Sequence, residues 1–368
     1  MKRLPKVGIL YTVAGGGHIN VARALESSFK KQYGISPDLL DLIKTHAPTG
    51  FKEPDKIYKW MLKYGGKPHE WLIKASESES VLTPVSDAFY LVINKKLKKF
   101  VENSDYDLLI GVHPVYAQLF DRMKYGMGVD IGNTKLITVV TDIAYMIRAW
   151  FSEGSDLTIL PSMEAFGYGF RYFKKYIPQI EVMGLPIQEK WFETYDKEEI
   201  RKELGIEKDK KTVLLFGGGE GSEKVLDILK RLEKECSDIN IFVATGRDEN
   251  MKAKILKRKH RNNVSVVGWT DVFHKYVIAS DIIISKAGPT LMWECMTIKK
   301  PLIVFDYIKG QEEGNQDFVE NHNIGKYLKK PKDVARYVSA FKVRDENTIT
   351  PHEKNYASLI VDRCMKLL

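Results

Sequence analysis

Two stretches of this chain repeat one design. Val7 to Val13 is a short apolar run, followed by Ala14-Gly15-Gly16-Gly17-His18 and then by Ala22, Leu25 and Phe29 at helical spacing, with Gly34 placed to end the helix. The second half does the same: Val213 to Phe216 leads into Gly217-Gly218-Gly219-Glu220-Gly221-Ser222, then a helix whose apolar face is Val225, Ile228, Leu229 and Leu232. Strand, glycine-rich loop, helix is the opening unit of a doubly wound α/β domain. One opening per half predicts an α/β chain of two facing Rossmann-like domains with a cleft between them. A length of 368 residues at 44% hydrophobic content is enough for two cores. The expected division is residues 1–185, residues 186–350, and a C-terminal helix over 351–368 that crosses back to the first domain.

The loops themselves exclude some functions. Gly15 to Asn20 lacks the third glycine of the dinucleotide fingerprint, and neither loop carries the G-K-[ST] of a P-loop. A dehydrogenase or an NTPase loses its main support. The formal net charge of +9 favours anionic partners such as nucleotides or an acidic membrane surface. Basic and acidic residues are interspersed along most of the chain, so nucleic acid is not expected as a partner. Cys236, Cys295 and Cys364 are far apart and fit no metal spacing, which predicts a reducing compartment. The basic-then-apolar start lacks a signal-peptide cleavage site and reads as the first strand, and no run is long enough to span a bilayer. The expected location is cytoplasmic, with peripheral contact to the membrane. Asp105-Tyr106-Asp107 matches a D-x-D metal motif but precedes its strand, so it falls at the wrong end of the sheet.

In an open α/β sheet, ligands bind beyond the carboxyl ends of the strands. Three polar residues fall there in the first half: His18 after the first strand, His113 after Leu108 to Val112, and Asp142 after Leu136 to Val140. An imidazole beside a helix N-terminus feels the positive end of the macrodipole, which favours its neutral, proton-accepting form. Asp142 has three open readings: orienting His18, binding an acceptor hydroxyl, or serving as the base itself. In the second half, Asp281 to Gln316 reads as strand, tight turn at Ser285-Lys286-Ala287-Gly288-Pro289, helix, strand, then Lys309-Gly310-Gln311-Glu312-Glu313-Gly314-Asn315. The glycines and helix starts in this half offer N–H groups to a pyrophosphate.

The pattern S-K-A-G-P with Glu294 beyond it, followed by G-Q-E-x-G-N, resembles the donor half of the family 28 glycolipid glycosyltransferases. These are the monogalactosyldiacylglycerol synthases and processive diacylglycerol glucosyltransferases, with MurG as a more distant relative. The G-G-G-H loop resembles theirs too. The resemblance implies a GT-B fold and an inverting transfer of a hexose from a UDP-sugar (UDP-glucose or UDP-galactose) to diacylglycerol or a glycosyl-diacylglycerol, with no metal required. It implies His18 or Asp142 as base with His113 beside them, and Gly16 and Gly17 at the acceptor. For the donor it implies Gly217, Gly218 and Gly219 and the run Lys286, Ala287, Gly288, Pro289 and Thr290 at the pyrophosphate, with Glu294 on the ribose. Gly310, Gln311, Glu312 and Asn315 fall on ribose or sugar hydroxyls, and Gly268 and Trp269 near the uracil, although Trp269 also reads as a core or hinge aromatic. Gly184-Leu185-Pro186 resembles the family's hinge.

The segment I-Y-K-W-M-L-K-Y resembles the acceptor side of plant-type galactolipid synthases. Trp60, Lys63, Tyr64 and Trp71 suit an interfacial helix on anionic lipid, while an amphipathic helix packed on its own domain would show the same pattern. The rival readings are a GT-B enzyme with another acceptor, MurG-like or small, a UDP-N-acetylglucosamine 2-epimerase, which shares the architecture but whose H-G-D-type signature this sequence lacks, and a non-catalytic nucleotide-sugar-binding or membrane-scaffold protein.

Overall fold

The structure, a computed structural model, describes residues 3–12, 16–46, 70–71, 73–74, 77–78, 98–100, 102–126, 130–172, 179–206, 210–218, 222–343 and 348–368. The chain divides into two compact units. The first is Met1–Glu189 with Ile308–Glu313 and Asn355–Leu368, and the second is Lys190–Tyr307 with Gly314–Lys354.

The first unit is built on a parallel sheet of six strands in the order β2-β1-β3-β4-β5-β6. These are β1 (Val7–Leu10), β2 (Asp38–Leu40), β3 (Leu108–Gly111), β4 (Lys135–Val139), β5 (Leu157–Leu160) and β6 (Gln179–Val182). Every position of β1, β3 and β5 is buried. Continuous apolar runs are what a parallel sheet covered on both faces requires. Helices α1 (Gly17–Tyr33), α2 (Leu42–His46), α3 (Pro114–Asp121) and α4 (Met163–Gly169) supply that cover. By sequence, Ile159-Leu160 before Pro161-Ser162 reads as the last strand of this half, and it is the end of β5. The structure adds β6, whose alternating Gln-Ile-Glu-Val is only half buried because it forms the sheet's edge. Edge strands carry no continuous apolar signal.

The second unit begins with β7 (Tyr195–Asp196) and α5 (Lys197–Glu203). Its sheet consists of β8 (Thr212–Phe216), β9 (Asn240–Gly246), β10 (Asn263–Gly268), β11 (Ile282–Lys286), β12 (Leu302–Asp306) and β13 (Gly325–Tyr327), parallel and ordered β10-β9-β8-β11-β12-β13. Counted from β8, this is the doubly wound order 3-2-1-4-5-6. Between the strands run α6 (Lys224–Glu235), α7 (Glu249–Leu256), α8 (Phe273–Ala279), α9 (Pro289–Thr297), α10 (Asn315–Asn321) and α11 (Pro331–Ala340). The core joins Val213, Leu215, Ile241, Val243, Ile282 and Ile284 of the sheet to Ile228, Leu232 and Val334 of the helices. Strand β14 (Thr348–Ile349) pairs antiparallel with β7. A buried carboxylate fastens α5 beneath the sheet: Asp281 takes Lys197 Nζ at 2.5 Å, Arg201 at 2.8 Å and the Thr212 N–H at 2.7 Å.

The C-terminal helix α12 (Tyr356–Met365) belongs to the first unit. Tyr33 donates to Asp362 at 2.9 Å and Arg363 to Glu181 at 2.7 Å. Gly184, at φ +100°, sits directly beneath the Tyr356 ring. It lies inside the first unit, so what fixes it is a packing contact with α12.

Candidate functional site

From β1 the chain turns to β2 on one side of the sheet and then reaches β3 on the other. The gap between the carboxyl ends of β1 and β3 is therefore the topological switch point, where the diverging connections leave a crevice. His18, in the first turn of α1, and His113, following β3, both lie there with their rings 4.6 Å apart and nearly perpendicular. His18 Nδ1 is 2.8 Å from the Val112 carbonyl. A carbonyl oxygen only accepts, so Nδ1 carries the hydrogen and Nε2 keeps its lone pair. Thr141 Oγ1 lies 3.1 Å from the same Nδ1. The sequence had suggested the helix dipole as the reason for a neutral imidazole. The structure gives a stronger one, because burial pulls the His18 pKa down to about 4. His113 accepts the Val115 N–H on Nδ1 at 3.2 Å and so caps α3, while burial and the neighbouring His18 hold it uncharged. Gly16 and Gly17 lead into α1 ahead of His18.

Asp142 follows β4. Its Oδ2 accepts the Trp150 indole N–H at 2.6 Å, and the Gln311 side chain also hydrogen-bonds to it. Burial pushes the carboxyl up to about 7, and the charge of Glu312 adds to that rise. Gln311 and Glu312 thus sit with Asp142 in the first unit, on the segment Ile308–Glu313. Glu312 accepts the Ile308 N–H at 2.7 Å, closing its own loop, and Gly310 (φ +81°) backs onto Ile73. Trp150, fully buried, is a site residue that the sequence did not reveal. Nothing in the linear pattern distinguishes it from a core aromatic.

In the second unit the switch point lies between β8 and β11. Gly217 and Gly218 follow β8, and Gly219 lies outside the described residues. Gly218 has φ +85°, and a Cβ there would meet Lys286 Cε at 2.9 Å and Nζ at 3.4 Å. The absent side chain lets an ammonium group lie against the backbone of the glycine loop, which makes a small cationic cradle. Gly288 is the N-cap of α9 and Pro289 its first residue, and no side chain among the described residues caps the N–H groups around Thr290. Ala287 has both backbone groups engaged: its N–H donates to Asp306 at 2.8 Å, and its carbonyl accepts Asn315 Nδ2 at 2.8 Å. Ala287 and Asn315 therefore hold the turn in shape, and Asn315 Oδ1 is a buried acceptor with no protein donor among the described residues. Glu294 is buried and its carboxyl is pushed up to about 8, an effect that Lys190 partly offsets. Trp269, beyond Gly268, is 56% exposed with the Arg247 guanidinium 5.4 Å over its ring, which rules out a core role.

Asp105 and Asp107 are engaged by Lys6 and Arg3 at the amino end of β3. Trp60, Lys63 and Tyr64 lie outside the described residues, whereas Trp71 is 71% exposed. No helix among the described residues is long and apolar enough to cross a membrane.

Residues 18–187 match the family model described as monogalactosyldiacylglycerol (MGDG) synthase, and residues 212–340 match the glycosyltransferase family 28 C-terminal domain. The chain is 31% identical to monogalactosyldiacylglycerol synthase of Spinacia oleracea over 91% of its own length and 65% of that protein. It is 28% identical to monogalactosyldiacylglycerol synthase 3 of Arabidopsis thaliana, over 97% of its length and 78% of the relative's. The chain spans only 64–65% of the length of the spinach, soybean and tobacco relatives. Among solved structures, Acinetobacter baumannii MurG matches with a TM-score of 0.57 at 14% identity, covering 98% of this chain and all of that one. The S. aureus MnaA–UDP complex matches with the same score and identity over 99% and 98%. These likenesses establish the GT-B fold.

Proposed function

We propose that this chain, whose two halves match the monogalactosyldiacylglycerol synthase model and the glycosyltransferase family 28 C-terminal domain, transfers a hexose from a UDP-sugar to diacylglycerol or a glycosyl-diacylglycerol. The observation that carries this reading is His18: it is buried at a switch point, held neutral, and its Nδ1–H is spent on the Val112 carbonyl. In the proposed step the acceptor hydroxyl oxygen attacks the anomeric carbon and the bond from that carbon to the diphosphate oxygen breaks. The hydroxyl proton passes to His18 Nε2, and configuration inverts. Lys286, the Gly217-Gly218 backbone and the start of α9 would meet the charge of the departing diphosphate, so no metal is needed for that purpose. Glu294 suits the ribose hydroxyls, and Trp269 with Gly268 the uracil. The exposed Trp71 supports peripheral attachment to an anionic membrane surface, where a lipid acceptor would lie.

The test is a turnover panel on the full chain with UDP-glucose, UDP-galactose and UDP-N-acetylglucosamine, each with diacylglycerol in anionic vesicles. Ligand-linked stabilisation identifies the donor, and glycolipid product establishes the transfer. Stabilisation by a UDP-sugar with no lipid product would overturn the acceptor, and no response to any UDP compound would overturn the donor site.

Asp142 gives the reaction a pH signature. Its carboxyl titrates at about 7 and His18 at about 4, so the two leave different marks on a rate profile. If ionised Asp142 assists the step, kcat/KM rises with pH through a limb near 7, and Asp142→Asn abolishes the limb along with much of the rate. A limb near 7 that persists in Asp142→Asn would remove Asp142 from the step. The same raised pKa means that ionisation costs folded stability as pH climbs from its ordinary value towards 7. Asp142→Asn is therefore expected to be more stable than the wild type above neutrality while being less active.

A further inference from the structure

One ion pair at the donor edge is unused by the reading above. Lys224, the first residue of α6, places Nζ 2.6 Å from Asp306 Oδ1 at the end of β12. Strand β11 lies between β8 and β12, with Ser285 in register with Phe216 and Lys286 with Asp306. A side chain that starts on the helix after β8 and ends on Asp306 therefore crosses the carboxyl edge of β11, the edge that carries Lys286. A carboxylate at that edge is out of place in a pocket for a diphosphate, because it repels the ligand. The pair is also only partly sheltered, with side-chain exposures of 42% for Lys224 and 29% for Asp306. Such a pair is held weakly and exchanges readily for a stronger anion.

We propose that Lys224 is a phosphate ligand for the nucleoside diphosphate, held in reserve on Asp306, and that Asp306 competes with the nucleotide for it. Binding moves the ammonium from the carboxylate to the diphosphate. Release of the nucleotide product is assisted when Asp306 takes the ammonium back. The inference rests on the donor reading of the second unit and adds to it a residue that sets affinity and product release.

The test is calorimetric binding of UDP and of uridine to the full chain, in the wild type, Lys224→Met and Asp306→Asn. Lys224→Met is expected to weaken UDP about tenfold, the usual worth of one contact to a charged group, and to leave uridine unchanged. Asp306→Asn is expected to tighten UDP severalfold, again without effect on uridine. Opposite signs are the signature of exchange, since a merely structural ion pair loses the same thing whichever partner is removed. Equal thermal destabilisation of the two variants with an unchanged UDP-to-uridine ratio would overturn the proposal. If Lys224→Met does not fold, Asp306→Asn decides alone: tighter UDP supports the exchange, and unchanged or weaker UDP overturns it. A wild type that binds no UDP would instead refute the donor site itself.

Discussion

Replacing His18 with alanine is expected to lower turnover by about 10²–10⁴-fold, the usual worth of a positioned general base. UDP binding should be unchanged, because the anion cradle belongs to the other unit. The reason for so large an effect is that the described residues supply no simple substitute. His113, 4.6 Å away, has spent Nδ1 on capping α3 and is held well below its ordinary pKa. Asp142 is already engaged by Trp150 and Gln311. Steady-state kinetics with saturating donor check this, read beside UDP affinity by calorimetry. Full turnover in His18→Ala would end the assignment of His18 as base, and a loss of UDP binding to match would show that the variant is damaged more generally.

A large stability effect is expected at Gly184. With φ at +100°, any L-residue there pays about 1–2 kcal/mol for the left-handed backbone. An added Cβ would also lie 2.3–2.5 Å from three atoms of the Tyr356 ring, an overlap that costs a further ~1–3 kcal/mol of repacking. Gly184→Ala should therefore lose about 2–5 kcal/mol of the stability of the first unit, by loosening the seat of α12. Tyr356→Ala added to Gly184→Ala should recover the part due to overlap and leave the part due to the backbone, a non-additivity that a double-mutant cycle reads directly. Urea unfolding monitored on the first unit is the appropriate measurement. A Gly184→Ala midpoint equal to the wild type would refute the contact.

Much of the fold was legible because it follows local rules. The glycine loops after β1 and β8, the β-branched runs of β3 and β11 and the apolar faces of α1 and α6 each carry their signal within a few residues. Strand β6 was missed because an edge strand is half polar. His18, His113 and Asp142 could be placed at strand ends because parallel strands share one carboxyl edge. The cause of His18's neutrality could not be read from the chain, since burial depends on what packs over the ring. Trp150 was invisible for the same reason.

What the sequence determined by itself was the pair of α/β units, the strand ends at which polar residues gather, and the family motifs that connect those residues to a UDP-sugar. What only the tertiary structure decided was which of those residues meet. Gln311 is far along the chain from Asp142, yet the segment Ile308–Glu313 packs into the first unit and brings the two into hydrogen-bonding contact. Lys224 reaches Asp306 across an intervening strand, and Tyr356 closes over Gly184. Backbone propensity and hydrophobic periodicity act over a few residues and are written locally. Desolvation and charge pairing depend on distance in space, and that distance exists only once the chain has folded.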